Sequence, residues 1–183
     1  MDQRRADFSP PWSTEVDPTK PCNNISSKLC KPFTMSYDAL RTGRLSAPGL
    51  VYLVTTVVAD RRALFTNFML ARAVIAEMRR SDESANVSSI AWVLMPDHLH
   101  WLFQLGDQVS LSATMQGFKG RSARKLKNLQ PNLSQVWQRG YHDHAMRADE
   151  DLRRTARYLA ANPLRAGLVA YIGDYSHWDA VWV

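Results

Sequence analysis

Apolar and polar residues follow two kinds of pattern along this chain, one typical of strands and one typical of helices. Runs rich in β-branched and other apolar residues, bounded by turn-forming residues, predict strands. Segments of this kind are 50–58, 87–95, 98–105 and a shorter stretch within 136–147. Apolar residues at helical spacing predict amphipathic helices. They occur over about 66–81, over 111–126, and in a last helix that starts near Asp149, carries Tyr158 and ends at Asn162.

The order of these segments predicts the fold. Strand–helix–strand–strand–helix–strand is the split βαβ arrangement, so we expect an α+β, ferredoxin-like domain with an antiparallel sheet. Its two helices should cover one face of the sheet and leave the other face free. The helix that carries Tyr158 should follow near the C-terminus.

The third predicted strand shows how the two faces differ, because alternate side chains of a strand point to opposite faces. One face is purely apolar and suits packing against helices; it consists of Leu99, Trp101, Phe103 and Leu105. The other face is mixed, and an active site could lie there; it consists of His98, His100, Leu102 and Gln104.

The chain divides at about residue 34. Residues 1–34 are rich in Pro, Ser, Asn and Lys and show no period, which predicts a flexible leader before a single domain over 35–183. A chain of 183 residues is long enough for one such domain with a substantial core. Cys22 and Cys30 lie in the leader and complete no zinc-binding pattern. A disulfide between them is possible, but a reduced, cytoplasmic setting is the simpler interpretation.

Charge and hydropathy narrow the kinds of partner. No apolar run approaches the roughly 18 residues of a membrane span, and the N-terminus lacks an apolar signal region, so we expect no membrane partner. The 23 basic residues exceed the 17 acidic ones and give a net charge of +6. Such a balance favours a polyanionic partner, although a protein can also be basic incidentally.

Two histidines at alternate positions of the third strand form the first candidate site. His98 and His100 share one face with Cβ atoms roughly 7 Å apart, so both can converge on one divalent cation. A pair of this kind is more often structural, but two histidines buried on one face need partners, and imidazole suits Mn²⁺, Zn²⁺ and similar ions. His142 and His144 form a rival pair whose surroundings look more solvated.

Tyr158 and Asn162 lie four residues apart on the last predicted helix and are therefore neighbours on its surface. Tyr158 falls about 100° from the apolar stripe, on the side of Arg154, so it either decorates the surface or serves an adjoining cleft. Asn162 precedes Pro163, which disfavours helical geometry there. Asn162 therefore either caps the helix end or offers its side-chain oxygen to a metal. Two histidines, an amide and a tyrosine around a cation would suit phosphoryl transfer through a tyrosyl intermediate.

The helix that begins at Leu111 has a basic face, formed by Lys119, Arg121, Arg124, Lys125 and Lys127. A solvated surface is the usual explanation for such a face. In a basic protein with a candidate phosphoryl-transfer site, phosphate contacts become the better prediction. We therefore assign DNA contacts to Lys119, Arg121 and Arg124, and also to Arg154 beside Tyr158.

Three motifs in order carry a resemblance to a known family. They lie at 91–101, which includes both strand histidines, at 136–144, and at 158–167, which begins with Tyr158. In this order and spacing, the chain from about 37 to 169 resembles the REP-associated tyrosine transposases, within the single-tyrosine, HUH-motif, single-strand DNA transposases. Each motif alone has little specificity, whereas the combination is highly specific.

The resemblance implies a ferredoxin-like domain in which His98 and His100 are the metal ligands of the HUH motif. Tyr158 matches the catalytic tyrosine, Asn162 matches the polar third ligand, and His144 matches a histidine outside the metal site. The implied cofactor is Mg²⁺ or Mn²⁺. The implied reaction cleaves hairpin-forming single-stranded DNA of repetitive extragenic palindromes, leaving a 5′-phosphotyrosyl enzyme and a free 3′-hydroxyl.

The resemblance also implies how the substrate is recognised. Arg41 and Arg44 lie in the stretch that, in such families, helps to read a short single-stranded guide sequence beside the hairpin. Relatives act as monomers or as homodimers, so either state is expected. Two other functions remain in view. A histidine-triad nucleotide hydrolase would need a third histidine where Leu102 stands. A domesticated hairpin-binding protein without turnover is opposed by the intact histidines and tyrosine.

Overall fold

The computed structural model of this chain describes residues 46–148 and 150–182. Its strands and helices follow the predicted order and add two short elements at the end. They are β1 Val51–Val57, α1 Phe68–Glu83, β2 Val87–Met95, β3 His98–Leu105, α2 Leu111–Leu129, β4 His142–Ala145, α3 Leu152–Ala160, α4 Asn162–Arg165 and β5 Trp178–Ala180. Two single 3₁₀ turns, Ala59–Arg61 and Leu64–Thr66, connect β1 to α1.

The strands form one antiparallel sheet in the order β4-β1-β3-β2-β5. The first four strands have the order that the split βαβ arrangement requires, so the predicted fold class is confirmed. The edge strand β5 was not predicted. It pairs with β2 from Val93 to Ala91, and the hydroxyl of Tyr175 donates to the carbonyl oxygen of Leu94 at 2.7 Å.

One face of the sheet packs against α1 and α2, as predicted. Leu99, Trp101 and Phe103 are completely buried there, in a cluster with the apolar residues of both helices. Each helix begins at a side-chain cap: Asn67 accepts hydrogen bonds from the first turn of α1, and Ser110 does so for α2. The caps and the apolar stripes together fix both helices on this side of the sheet.

The other face is not free, which corrects the expectation from sequence. Val93 and Leu102 point to this face and are completely buried, yet they lie outside the cluster formed by α1 and α2. Helix α3 contacts β2 and β5, and its own buried residues, such as Leu159, also lie outside that cluster. Helix α3 therefore covers the apolar part of the face that carries the strand histidines.

The C-terminal helix also differs from its prediction. Asp151 caps α3 by accepting hydrogen bonds from two backbone N–H groups of the first turn, and the helix ends at Ala160. Asn162 does not lie at the end of that helix; it begins the separate turn α4. Pro163 fits there because the first helical residues have no intrahelical partner for their N–H groups.

Several predictions lie outside the described residues. These are the flexible leader over 1–34 with Cys22 and Cys30, the two arginines Arg41 and Arg44, and Asp149. Within the residues that the structure does describe, no helix is long and apolar enough to cross a membrane.

Candidate active site

The two strand histidines lie beside the β2–β3 turn. In the sheet register His98 lies opposite Val57, and His100 lies between Thr55 on β1 and Val93 on β2. Directly paired residues point to the same face, so both imidazoles lie on the face that α3 covers in part. The sheet register thus brings the histidines and the Tyr158 helix to the same side of the molecule.

The imidazoles of His98 and His100 converge. Their Nε2 atoms are 3.1 Å apart, and the rings meet edge to face, with centroids separated by 4.7 Å and planes at 85°. Both rings are largely withdrawn from solvent. Two nitrogens that face each other in this way can share either a proton or a metal cation.

The outer nitrogen of each imidazole has its own partner. Nδ1 of His98 lies 2.5 Å from Oδ1 of Asp97, and Nδ1 of His100 lies 2.7 Å from Oγ1 of Thr55. The guanidinium of Arg61 donates to the second carboxylate oxygen of Asp97 at 3.1 Å. Neither ring can therefore rotate without losing a hydrogen bond.

The pKa values of His100 and Asp97 are both shifted downward. Burial, followed by the adjacent His98, lowers the pKa of His100 to about 3, so this imidazole is neutral at physiological pH. Burial alone would raise the pKa of Asp97, but its hydrogen bond with His98 and the guanidinium of Arg61 hold it below its usual value. A neutral imidazole beside an ionised carboxylate suits metal binding.

The geometry fits a divalent metal. The two Nε2 atoms are 3.1 Å apart. For a cation about 2.1 Å from each, the N–cation–N angle would be about 95°, between the octahedral and tetrahedral values. Within 46–148 and 150–182, no cluster of three or more His, Cys, Asp or Glu residues could hold a metal. An amide, hydroxyl or carbonyl oxygen of the described chain could complete such a site as its third protein ligand.

Asn162 is a suitable candidate for that third ligand. Its Nδ2 atom is buried and has no hydrogen-bond partner among the described residues. Because amide nitrogen and oxygen are nearly interchangeable in position, turning the amide would place Oδ1 there. An unsatisfied buried amide costs free energy that a ligand could recover. Helix α4, which Asn162 begins, contacts β2, the strand beside His100.

Tyr158 is half-buried on α3, and a guanidinium lies over its ring. The Cζ atom of Arg165 is 4.2 Å from the centroid of the Tyr158 ring. Leu159 and Ala160 next to it are buried, which agrees with the predicted phase of the apolar stripe. Arg165 belongs to α4, so this short helix after α3 places a positively charged guanidinium over the ring of the candidate nucleophile.

The rival histidines lie across β1 from the central pair. His142 lies opposite Thr55, on the same face as His100, but its side chain is exposed. His144 lies 2.9 Å from both carboxylate oxygens of Glu150, whose pKa is held down by the backbone N–H of Arg147 and by His144 despite partial desolvation. His144 thus has a carboxylate partner, whereas His98 and His100 direct their Nε2 atoms at each other.

The residues assigned to DNA contacts fall on different sides of the sheet. Lys119 donates to the carbonyl oxygens of Gln138 and Gly140, and burial lowers its pKa to about 8. Arg121 pairs with the buried carboxylate of Glu77 at 3.0 Å. Both side chains therefore support the packing of α2, on the face away from the histidines.

Two of the assigned arginines are exposed. Arg124 lies on α2, and Arg154 lies on α3. Of these two, only Arg154 belongs to the helix that covers the histidine face. The site favours Arg154 over the arginines of α2 as a contact for DNA near the histidines.

Sequence reasoning missed four residues of this site. Asp97 lies in the turn between β2 and β3, and a carboxylate next to a candidate ligand could have suggested a partner for that ligand. Thr55, Arg61 and Arg165 gave no usable signal, because their positions depend on strand register and on the turns after β1 and α3.

Comparisons with known proteins show the family of this chain. The family model described as "Transposase IS200 like" matches residues 46–162, which include both histidines and Tyr158. A REP-associated tyrosine transposase of Escherichia coli (strain K12) is 28% identical over 131 residues, covering 69% of this chain and 74% of that protein. A relative from Haemophilus influenzae is 24% identical over 140 residues, covering 70% of this chain and 78% of the relative.

A solved structure shows the same fold. It is that of a REP-associated tyrosine transposase bound to a REP hairpin, with a TM-score of 0.60 and 24% sequence identity. The match covers 74% of this chain and 79% of the solved chain.

Proposed function

Because this chain belongs to the IS200-like transposase family of DNA transposases, we propose that it nicks and rejoins hairpin-forming single-stranded DNA through a 5′-phosphotyrosyl intermediate. The proposed substrate class is the repetitive extragenic palindrome, for which the Escherichia coli relative is named. The solved structure with the same fold was determined with a hairpin of this class.

One observation carries the proposal: two imidazole nitrogens 3.1 Å apart, on the sheet face that the Tyr158 helix contacts. Single-strand cleavage by a tyrosine needs both a nucleophilic hydroxyl and a positive charge at the scissile phosphate. On this face Tyr158 would supply the hydroxyl, and a bound cation would supply the charge. His98, His100 and Asn162 are the proposed ligands of one Mg²⁺ or Mn²⁺ ion, which would act as a Lewis acid on a phosphate oxygen.

The protein's own residues would then perform the exchange. The Oη atom of Tyr158 attacks phosphorus and loses its proton, the Oη–P bond forms, and the P–O3′ bond breaks. The leaving oxygen takes a proton and becomes a free 3′-hydroxyl. The 3′-hydroxyl of the same or a second strand can reverse the step. No ATP is required because the phosphotyrosine retains the phosphodiester linkage.

Substrate binding is proposed to involve arginines outside the metal site. Arg154 on α3 would contact phosphates near the scissile bond. Arg41 and Arg44 remain the proposed readers of the unpaired guide bases, and their joint replacement should relax discrimination among guide sequences more than it lowers total binding. The proposal holds for a monomer and for a homodimer alike.

The decisive experiment traps the covalent intermediate. The full chain is incubated with Mg²⁺ or Mn²⁺ and a labelled single strand that carries a palindromic repeat found near its own gene. We expect a labelled protein band that survives denaturation in wild type and is absent in Tyr158→Phe, while hairpin binding is nearly unchanged.

Tyr171→Phe is the matched control, because Tyr171 is 76% exposed and lies outside the proposed site. Adduct formation by Tyr158→Phe at the wild-type rate would overturn the assignment of the nucleophile and turn attention to Tyr141. A wild-type protein that binds the hairpin without cleaving it would favour a binding protein. Equal cleavage of a perfect duplex and a hairpin-bearing single strand would contradict the proposed substrate class.

A further inference from the structure

The hydrogen bonds around the two histidines form one continuous chain. It runs from Arg61 to Asp97, from Asp97 to His98, from His98 to His100 and from His100 to Thr55. We propose that Asp97 and Thr55 are positioning residues that set the tautomers of the two imidazoles, so that both Nε2 lone pairs can point at one cation. This inference rests on the metal site of the proposed function.

The first tautomer follows from Asp97. An ionised carboxylate only accepts hydrogen bonds, so at 2.5 Å the Nδ1–H group of His98 must donate to it. To bind a metal, His98 must be a neutral imidazole, which has a single N–H group. The Nε2 atom of His98 therefore carries a lone pair, and that lone pair faces His100.

The second tautomer depends on Thr55, whose hydroxyl can both donate and accept. Without a cation, one consistent direction has Thr55 donating to Nδ1 of His100 and the Nε2–H group of His100 donating to His98. With a cation, Nε2 of His100 must offer a lone pair, so Nδ1–H must donate to Thr55. The 2.7 Å contact between Thr55 Oγ1 and His100 Nδ1 is a hydrogen bond in both the metal-free and the metal-bound state; only its direction changes. His100 stays neutral in both states, so no net proton is released.

A hydroxyl is the group that this position requires. A carboxylate at Thr55 would fix the second state permanently, whereas an apolar side chain would leave Nδ1 of the buried His100 without a partner in either state. Threonine lets the metal-free protein bury both histidines at little cost. It also stabilises the tautomer to which the metal binds.

The loop that holds Arg61 supports the role of Asp97. Asp60 and Arg61 have φ angles of 57° and 50°, in the left-handed region that residues other than glycine seldom adopt. Strained backbone persists where surrounding contacts hold it, often at functional sites. Here the N–H group of Val58 donates to the carbonyl oxygen of Asp97 at 2.8 Å, beside the ion pair of Arg61 with the same residue. The loop therefore fixes Asp97 through backbone and side chain.

The neighbouring residue Thr56 provides a matched control. It points to the opposite face of the sheet, is 1% exposed, and its Oγ1 atom has no hydrogen-bond partner among the described residues. Replacing Thr55 or Thr56 by valine removes one hydroxyl from the same strand with nearly the same change in volume. Only the change at Thr55 alters a hydrogen bond to a candidate ligand.

The test measures binding of Mn²⁺ alone to the full chain, by calorimetry and by the electron paramagnetic resonance signal of free Mn²⁺. Loss of a hydrogen-bond partner of a metal ligand commonly weakens metal binding about 10- to 100-fold. We expect a loss of this size for Thr55→Val and for Asp97→Ala. Thr55→Ser and Thr56→Val should bind as wild type does, and Asp97→Asn should lose less than Asp97→Ala because its amide oxygen still accepts from Nδ1–H.

Nitrogen-15 spectra of the imidazoles provide a second readout that a purely structural role would not change. On addition of Mg²⁺, the proton of His100 should move from Nε2 to Nδ1, while that of His98 should stay on Nδ1. Wild-type Mn²⁺ affinity in Thr55→Val, or a His100 tautomer that does not change on metal binding, would overturn the inference alone. Wild-type binding of Mn²⁺ that does not require His98 and His100 would overturn the proposed metal site and the inference with it.

Discussion

Removal of the guanidinium over the proposed nucleophile should slow covalent attack without abolishing DNA binding. The Cζ atom of Arg165 lies 4.2 Å from the ring centroid of Tyr158, and Arg165 itself is exposed. When Tyr158 attacks phosphorus, its Oη atom loses a proton and negative charge passes into the ring. Arg165→Gln keeps a polar side chain of similar length but removes the positive charge that stabilises this negative charge.

The size of the effect follows from distance and exposure. Two unit charges about 4 Å apart interact by about 1 kcal/mol in bulk water and about 4 kcal/mol at an effective dielectric constant near 20. Because Arg165 is exposed, the lower value applies, and about 1 kcal/mol corresponds to a roughly fivefold change in rate. Arg165→Lys should recover part of the loss, since it restores the charge but not the planar group that lies over the ring.

The assay is single-turnover formation of the covalent adduct with saturating hairpin substrate, compared with the hairpin dissociation constant for each variant. Arg157→Gln serves as the control. Arg157 is exposed on α3, the helix of Tyr158, and its replacement removes the same charge from the protein. An unchanged adduct rate in Arg165→Gln would refute the electrostatic role. So would an equal loss in Arg157→Gln, which would show a general effect of charge on DNA binding.

Three further predictions follow from the same layout. His98→Ala should abolish cleavage supported by Mg²⁺ or Mn²⁺, whereas His142→Ala should not, and a reversed result would move the metal to the rival pair. Arg154→Ala should weaken binding to all hairpins and lower the slope of log Kd against log salt concentration by the equivalent of roughly one phosphate contact. Arg124→Ala should change neither the affinity nor the slope. Leu159→Ala should lower the free energy of unfolding by about 2–5 kcal/mol in urea titrations, because Leu159 lies on the buried side of α3 and is 1% exposed. A loss well below 1 kcal/mol would show that α3 does not depend on this contact.

The central hairpin was predictable because its signals are local. The bounds of β2 and β3 match the predicted segments 87–95 and 98–105, and the alternation in β3 assigned Trp101 to the helices and His100 to the other face. Both assignments need only the period of a strand and a tight turn. Helices α1 and α2 were predictable for the same reason, since each has one apolar stripe and a polar cap.

The second layer was not predictable, because its evidence is not local. In β2 a bulge between Ser89 and Ala91 reverses the side-chain phase. Ser89 therefore lies opposite Phe103 on the α1–α2 face, while Val93 lies opposite His100 on the other face. The apolar run 87–95 gives no sign of this change. The free face itself was expected from the split βαβ arrangement, which places its two helices on one side and does not assign a side to α3.

The same limit explains which parts of the site could be identified from sequence. His98 and His100 are two residues apart and Tyr158 and Asn162 are four apart, so strand and helix periods pair them without tertiary information. Thr55 is 45 residues from the histidine that it contacts. Its role requires the register between β1 and β3, which the sequence of this chain alone does not fix. The proposed ligands and the proposed nucleophile therefore lie at short spacings, whereas Thr55, proposed to orient His100, meets it only through the pairing of β1 with β3.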